Sequence, residues 1–321
     1  MKLISPALNS LRKIKRRQTV SRTVSDQYWA DRILQEDWDL LPFEFRCENG
    51  SLWIDEFNIS LERDTDEFFL DGILLARDIA TTRNATFSKS NGDLVVNIDD
   101  FSLVVQNSQE LFILQEIFCA EVYNLIQRNP MVLIDVGMNV GFASLYFAQK
   151  EEVMAVYGYE PFKPTYDQAL RNFRLNPKYS QKIHHFNFGL ARKDEVRKVE
   201  YSSERRGSMG IDGLIQYESA GGTTETQEIE LKNVSKIIGE VHSSNPDLAL
   251  IVKIDTEGSE YEIIDALAEN DNNLNLIDGL MLEWHDSGQN ENLVKTLLES
   301  GFRVVSLNPH STTIGSMYAF R

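Results

Sequence analysis

The sequence is short of the residues that build disulfide-stapled or membrane-spanning proteins. Only two cysteines, Cys47 and Cys119, occur in 321 residues, and neither belongs to a CxxC pair. A disulfide framework is excluded, and a reducing compartment is expected. No apolar run approaches the roughly 20 residues that a spanning helix requires. The N-terminus lacks the apolar core of a secretory signal, so the expected location is cytoplasmic. Positive charge is also scarce: 32 Lys and Arg stand against 49 Asp and Glu, a formal net charge of −17. A protein that neutralises phosphates needs a basic face, so nucleic acid is not the expected partner. There is no low-complexity tract and no internal repeat. A content of 42% hydrophobic and 25% charged residues is that of an ordinary globular chain, long enough to bury a sizeable core.

The scarce positive charge is unevenly placed. Lys2, Arg12, Lys13, Lys15, Arg16, Arg17 and Arg22 all precede the first acid, Asp26. Such a run reads first as a solvated arm. Leu3, Ile4, Leu8, Leu11 and Ile14 fall roughly on one helical face, which also fits weak contact with a membrane surface.

Three regions follow from pattern. Residues 1–40 read as a helical segment, basic and then acidic. Residues 41–107 read as a β-rich section, with apolar or alternating runs at 51–54, 57–61, 94–98 and 101–105 and turns at Asn49-Gly50 and Asn91-Gly92-Asp93. Residues 108–321 open with a helix expected over 109–127, capped by Ser108. Strands and helices then alternate. Strands are expected at 131–135, 155–160, 183–188, 248–255, 277–284, 302–307 and 316–321. This is an α/β, Rossmann-like sheet, mostly parallel. The loop 308–315 is too short for a crossover helix, so the last strand is expected to run antiparallel. The stretch 191–247 is too long for one crossover. Runs at 200–201 and 228–231 suggest added strands, with Gly207, Gly210, Gly213, Gly221 and Gly222 marking a loop between them.

The central signal is Ile134-Asp135-Val136-Gly137-Met138-Asn139-Val140-Gly141-Phe142. A buried strand ends in an acid, and a turn with two glycines leads into a helix. In open α/β sheets ligands bind beyond the carboxyl ends of the strands. Met138 and Asn139 stand where a dinucleotide fold would need the second glycine of G-x-G-x-x-G, which disfavours a nicotinamide cofactor. Glu160 closes the second strand in Tyr157-Gly158-Tyr159-Glu160-Pro161, where an acid can accept hydrogen bonds from ribose hydroxyls. Asn187 closes the third, where its amide can meet an adenine or cap a loop. Asp135, Gly137, Asn139, Gly141, Glu160 and Asn187 are therefore the candidate cofactor residues.

These blocks, with Lys253-Ile254-Asp255-Thr256-Glu257-Gly258-Ser259-Glu260 and Leu282-Glu283-Trp284-His285, resemble the FkbM family of S-adenosylmethionine (SAM)-dependent methyltransferases. The resemblance spans about residues 108–310. Asn172, Asn176 and Asn187 with Gly189-Leu190 look like further family positions, whereas Met138 stands where alanine is usual. The resemblance implies SAM as cofactor, a class I methyltransferase sheet, and O-methylation of a hydroxyl on a carbohydrate or glycosylated metabolite.

A neutral alcohol is a poor nucleophile, so such a reaction needs a base or a metal. Asp255 closes the fourth strand, and Glu283 and His285 close the fifth; these three are the candidate catalytic residues. In one scheme His285 takes the proton and Asp255 or Glu283 orients it. In the other, Asp255 and Glu283 hold a hard cation such as Mg²⁺. The spacing shows no tight ligand pattern, so no metal site is assigned. Glu257 and Glu260 read as acids favoured at a helix start. The expected partner is a small-molecule or glycan acceptor. Two alternatives stay open: a nicotinamide-dependent oxidoreductase, and a catalytically silent SAM-binding or assembly module in which the first 107 residues carry the function.

Overall fold

A computed structural model describes residue 20 and residues 22–35, 43–124, 129–214, 224–269, 273–285, 290–307 and 313–321. The chain divides into two compact units, 1–119 and 120–321.

In the first unit, helix α1 (Gln27–Gln35) turns Trp29, Ala30 and Ile33 inward. Two antiparallel meanders follow. One holds β1 (Phe45–Glu48), β2 (Ser51–Ile54) and β3 (Ile59–Leu61). After helices α2 (Phe68–Asp71) and α3 (Ile73–Arg83), the other holds β4 (Thr86–Ser90), β5 (Asp93–Ile98) and β6 (Phe101–Val105). Phe57, Phe69 and Phe87 meet edge to face, with centroids 5.1–5.3 Å apart. Each such ring contributes about 1.5–3 kcal/mol by leaving water. The helix expected over 109–127 is shorter: α4 (Ser108–Leu114) passes into a π-helical turn, Gln115–Cys119. Its cap is Asn107 and not Ser108, because Asn107 Oδ1 accepts from the Glu110 amide at 2.9 Å. Since α4 belongs to this unit, the compact units part at 119/120 and not at 107/108. Most of the basic arm, residues 1–19 and 21, lies outside the described residues, as do 36–42.

The second unit runs, in chain order, β7 (Met131–Val136), α5 (Phe142–Ala148), β8 (Val153–Tyr159), α6 (Lys163–Leu175), α7 (Pro177–Ser180), β9 (Ile183–Phe186), β10 (Gly189–Ala191), β11 (Glu195–Ser202), β12 (Met209–Gly210), β13 (Gly213–Leu214), β14 (Thr224–Asn233), α8 (Val234–Ser244), β15 (Ala249–Ile254), α9 (Glu260–Glu269), β16 (Gly279–His285), α10 (Asn290–Glu299), β17 (Arg303–Ser306) and β18 (Ile314–Phe320). Seven strands make one sheet in the order β17-β18-β16-β15-β7-β8-β9. Only β18 runs against the rest, lying between β16 and β17 and antiparallel to both. The expected antiparallel last strand is therefore present. Strand periodicity sorts the side chains. Val132, Ile134 and Val136 of β7, Leu250, Val252 and Ile254 of β15, and Leu280, Leu282 and Trp284 of β16 share one core with Ile238, Ile263, Leu267 and Leu297 of the helices. The alternate positions of β15 and β16 put Lys253, Asp255, Glu283 and His285 on the other face.

The stretch 191–247 forms a second, smaller layer. β11 pairs antiparallel with β14, which pairs parallel with β10. β12 and β13 form a ribbon, and Val199, Tyr201, Met209, Ile211, Ile229 and Leu231 fill the core beneath. Both added strands expected from the sequence are found. Gly207, Gly210 and Gly213 lie in a 3-10 turn and this ribbon rather than in a featureless loop. Gly221 and Gly222 lie outside the described residues.

Candidate active site

The turn after β7 is shaped by what surrounds it. Gly137 (φ 77°), Asn139 (φ 51°) and Gly141 (φ 83°) are all left-handed. A Cβ on Gly137 would lie 1.8 Å from the carbonyl oxygen of Asp255, so the turn presses directly on the end of β15. One on Gly141 would lie 2.6 Å from the Phe173 ring, so α5 packs closely on α6. Asn172 Nδ2 donates to the Val140 carbonyl at 2.8 Å and Asn176 Nδ2 to the Asn172 carbonyl at 2.7 Å, pinning the turn from α6. Met138 occupies space that Gly158 leaves open: a Cβ at Gly158 would lie 2.4 Å from Met138 Sδ. The bulk of Met138 thus enters the protein interior.

The carboxylates at the strand ends differ in environment. Asp135 is fully buried, accepting from Ser144 Oγ at 2.6 Å and pairing with Lys253 Nζ at 3.1 Å. Lys253 also donates to the Gly137 carbonyl at 2.7 Å and stands 3.5 Å from Asp255. Burial alone would lower the Lys253 ammonium, but Asp135 and Asp255 raise it above the usual lysine range. Asp135 thus reaches the turn through Lys253. Glu160 is 5% exposed. Its two oxygens accept from the amides of Asn139 at 3.0 Å and Phe162 at 2.9 Å. Burial raises its carboxyl to about 7, against the pull of those two amides. Asn187 Nδ2 clips the next loop, donating to the carbonyls of Glu160 at 2.9 Å and Pro161 at 3.1 Å.

A second cluster gathers at the ends of β15 and β16. His285 is 1% exposed, with Nδ1 3.2 Å from Glu260, Nε2 3.1 Å from Glu257 and 3.7 Å from Glu283. The group orienting His285 is therefore Glu260, not Asp255 or Glu283. Glu260 is itself fixed by the Thr256 amide (3.1 Å), Thr256 Oγ1 (3.2 Å) and the Gly258 amide (3.0 Å). Burial would lower the imidazole, but Glu260 and Glu257 hold it above its ordinary range. Glu257 is raised by burial and by Asp255, against the opposing pull of His285. One carboxylate oxygen of Asp255, one of Glu257 and a nitrogen of His285 all lie within 4.8 Å of one another. The cation pair considered from sequence is Asp255 with Glu283; the groups that converge here are Asp255, Glu257 and His285. Sequence reasoning missed Glu257 and Glu260 as site residues. Their convergence depends on the left-handed backbone of Glu257 (φ 54°) and on the β15–β16 register, which spacing alone does not reveal. The β12–β13 ribbon closes on the same loop: a Cβ at Gly210 would lie 2.2 Å from the Glu257 carbonyl.

The sheet order, its single reversed strand and the glycine turn at the end of the central strand define a class I SAM-dependent methyltransferase. Residues 135–304 match the profile of the family described as the Methyltransferase FkbM domain, and the chain belongs to that family. Its relatives include Methyltransferase 1 of Beauveria bassiana (28% identical over 228 residues, 66% of this chain and 89% of the relative). Another is Methyltransferase sdnD of Sordaria araneosa (26% identical over 221 residues, 60% of this chain and 82% of the relative). Among solved structures, the FkbM methyltransferase of Methylobacillus flagellatus is 15% identical with a TM-score of 0.38, over 78% of this chain and 60% of that one.

Proposed function

We propose that this chain transfers the methyl group of SAM to a hydroxyl, on a carbohydrate or a glycosylated metabolite. The observation that supports this is the cluster of Asp255, Glu257, Glu283 and His285, set against the glycine turn by the contact of Gly137 with the Asp255 carbonyl. Transfer to oxygen needs a proton acceptor beside the methyl donor, and this cluster supplies several.

The donor set suits SAM, which carries a sulfonium, an ammonium, a carboxylate and a ribose diol. The turn residues Gly137 and Asn139 are part-exposed, and the Glu160 oxygens each keep a lone pair beyond the amides they accept. Gly137, Asn139, Glu160 and Asn187 would hold the cofactor, while Asp135 and Gly141 keep the turn in shape. The bound cofactor supplies an electrophilic methyl. The chain's own residues place the acceptor and take its proton. Glu283, 23% exposed and next to His285, receives the proton. The β12–β13 ribbon forms the wall beside the acceptor. Alignment of the two reactants supplies much of the remaining acceleration.

The test is incubation with methyl-labelled SAM and a panel of glycans and glycosylated metabolites, read by mass spectrometry. Label on a sugar oxygen is the expected result. Label found only on nitrogen or carbon acceptors overturns the reading.

A further inference from the structure

We infer that Asp255, Glu257 and His285 form a site for a divalent first-row transition cation of the Mn²⁺–Zn²⁺ type. The inference deepens the hydroxyl-methylation reading, because a cation there would bind the acceptor oxygen.

Four features carry it. The three side chains each offer one ligand atom, all within 4.8 Å of one another. Bonds of about 2.1 Å to a shared ion place neighbouring ligand atoms roughly 3–3.5 Å apart, so small side-chain rotations suffice. The ligand types are two oxygens and an imidazole nitrogen, a mixture that suits Mn²⁺ or Zn²⁺ better than Mg²⁺, which prefers oxygen alone.

The second feature is the support behind the histidine. Glu260 takes Nδ1 at 3.2 Å, which turns Nε2 toward Glu257. A carboxylate holding the far nitrogen of a histidine is the usual way a metal-binding imidazole is oriented. Glu260 is fully buried and held by the Thr256 and Gly258 amides, so it cannot swing away.

The third is charge. Asp255, Glu257, Glu260 and Glu283 crowd one imidazole, and the nearest lysine, Lys253, is shared with Asp135 and the Gly137 carbonyl. Like-charged carboxylates this close need a cation or a proton between them. The fourth is access. Asp255 and Glu257 are 28% and 17% exposed, so an ion held there keeps open positions for an acceptor oxygen.

The acceptor hydroxyl would coordinate the bound ion, its O–H is acidified and Glu283 takes the proton; the oxygen–methyl bond forms as the sulfonium–methyl bond of SAM breaks, with its electron pair left on sulfur in S-adenosylhomocysteine.

The experiment uses the full chain stripped with chelator and titrated with MnCl₂ alone, with free Mn²⁺ followed by electron paramagnetic resonance. One saturable ion per chain is expected. Asp255→Asn, Glu257→Gln and His285→Gln should each weaken it by at least ~10-fold, and Glu260→Gln by about 10–100-fold. The remote Asp265→Asn should bind as the parent does. Circular dichroism checks that each variant is folded. Absence of a saturable site, or equal affinity in the folded ligand variants, overturns the inference. A stripped chain that methylates a hydroxyl at full rate without any Mn²⁺ site overturns the cation but leaves the functional reading standing. A chain that binds Mn²⁺ through these residues yet methylates no hydroxyl does the reverse.

Discussion

Burial of Glu160 beneath the Asn139 amide raises its carboxyl from 4.5 to about 7, and that has a consequence for stability. A carboxyl whose pKa is higher in the folded state binds its proton more tightly there. Its contribution is complete below about pH 4.5 and is lost as the pH rises through about 7, amounting to at most about 3 kcal/mol. Thermal midpoints of the parent should therefore fall from pH 5 to pH 8 more steeply than those of Glu160→Gln. The glutamine is expected to be less stable at pH 5, because it accepts from only one of the two amides. Parallel slopes for the two proteins would refute the assignment. A second residue pair is coupled by shape alone. Gly158→Ala should destabilise by about 1–3 kcal/mol through its contact with Met138 Sδ. Combined with Met138→Ala, the loss should be smaller than the sum of the two single losses by about 0.5–3 kcal/mol in a denaturation cycle. Additivity would show that Met138 lies elsewhere.

Between elements, the decisive contact joins the turn after β7 to the end of β15. Gly137→Ala would drive a Cβ into the Asp255 carbonyl, 1.8 Å away, at a backbone angle that side chains resist. Calorimetry should show SAM affinity and thermal stability falling together; a folded variant with parental SAM affinity would remove the turn from the cofactor site. The elements themselves were readable to very different degrees. β7, β15 and β16 are continuous buried runs, so apolar pattern located them within a residue or two. α2 and α3 are hard to read because α2 has only four residues and, in α3, only Ile73, Ala76 and Ile79 are buried while Leu74 is exposed and Arg77 and Asp78 interrupt the stripe. Asp135, Gly137 and Glu160 were legible because strand ends followed by glycine or proline mark themselves. The His285 surroundings were not, because Glu257 and Glu260 reach it only across two strands and one left-handed residue.

On the scale of the whole molecule, charge is the dominant asymmetry. The first 25 residues hold seven of the 32 basic residues and none of the 49 acidic ones. No helix among the described residues is long and apolar enough to cross a membrane. We propose that the basic arm makes weak, salt-sensitive contact with anionic surfaces, at up to about 1 kcal/mol per basic residue near the surface. Deleting residues 2–19 should lower co-sedimentation with phosphatidylserine vesicles while leaving SAM affinity unchanged. Equal sedimentation would make the arm a solvated tail.

β17 and β18 pair with each other as a hairpin, and only β18 joins that hairpin to β16, with Ile314 opposite His285. Such a hairpin can detach as a unit while β7 and β15 stay paired. In hydrogen–deuterium exchange, the amides that β18 shares with β16 and β17 should open on one common clock, faster than those of β7. Each such opening would strip His285 of its neighbouring strand, so the candidate site at the end of β16 is expected to have a lifetime of its own, shorter than that of the fold carrying it.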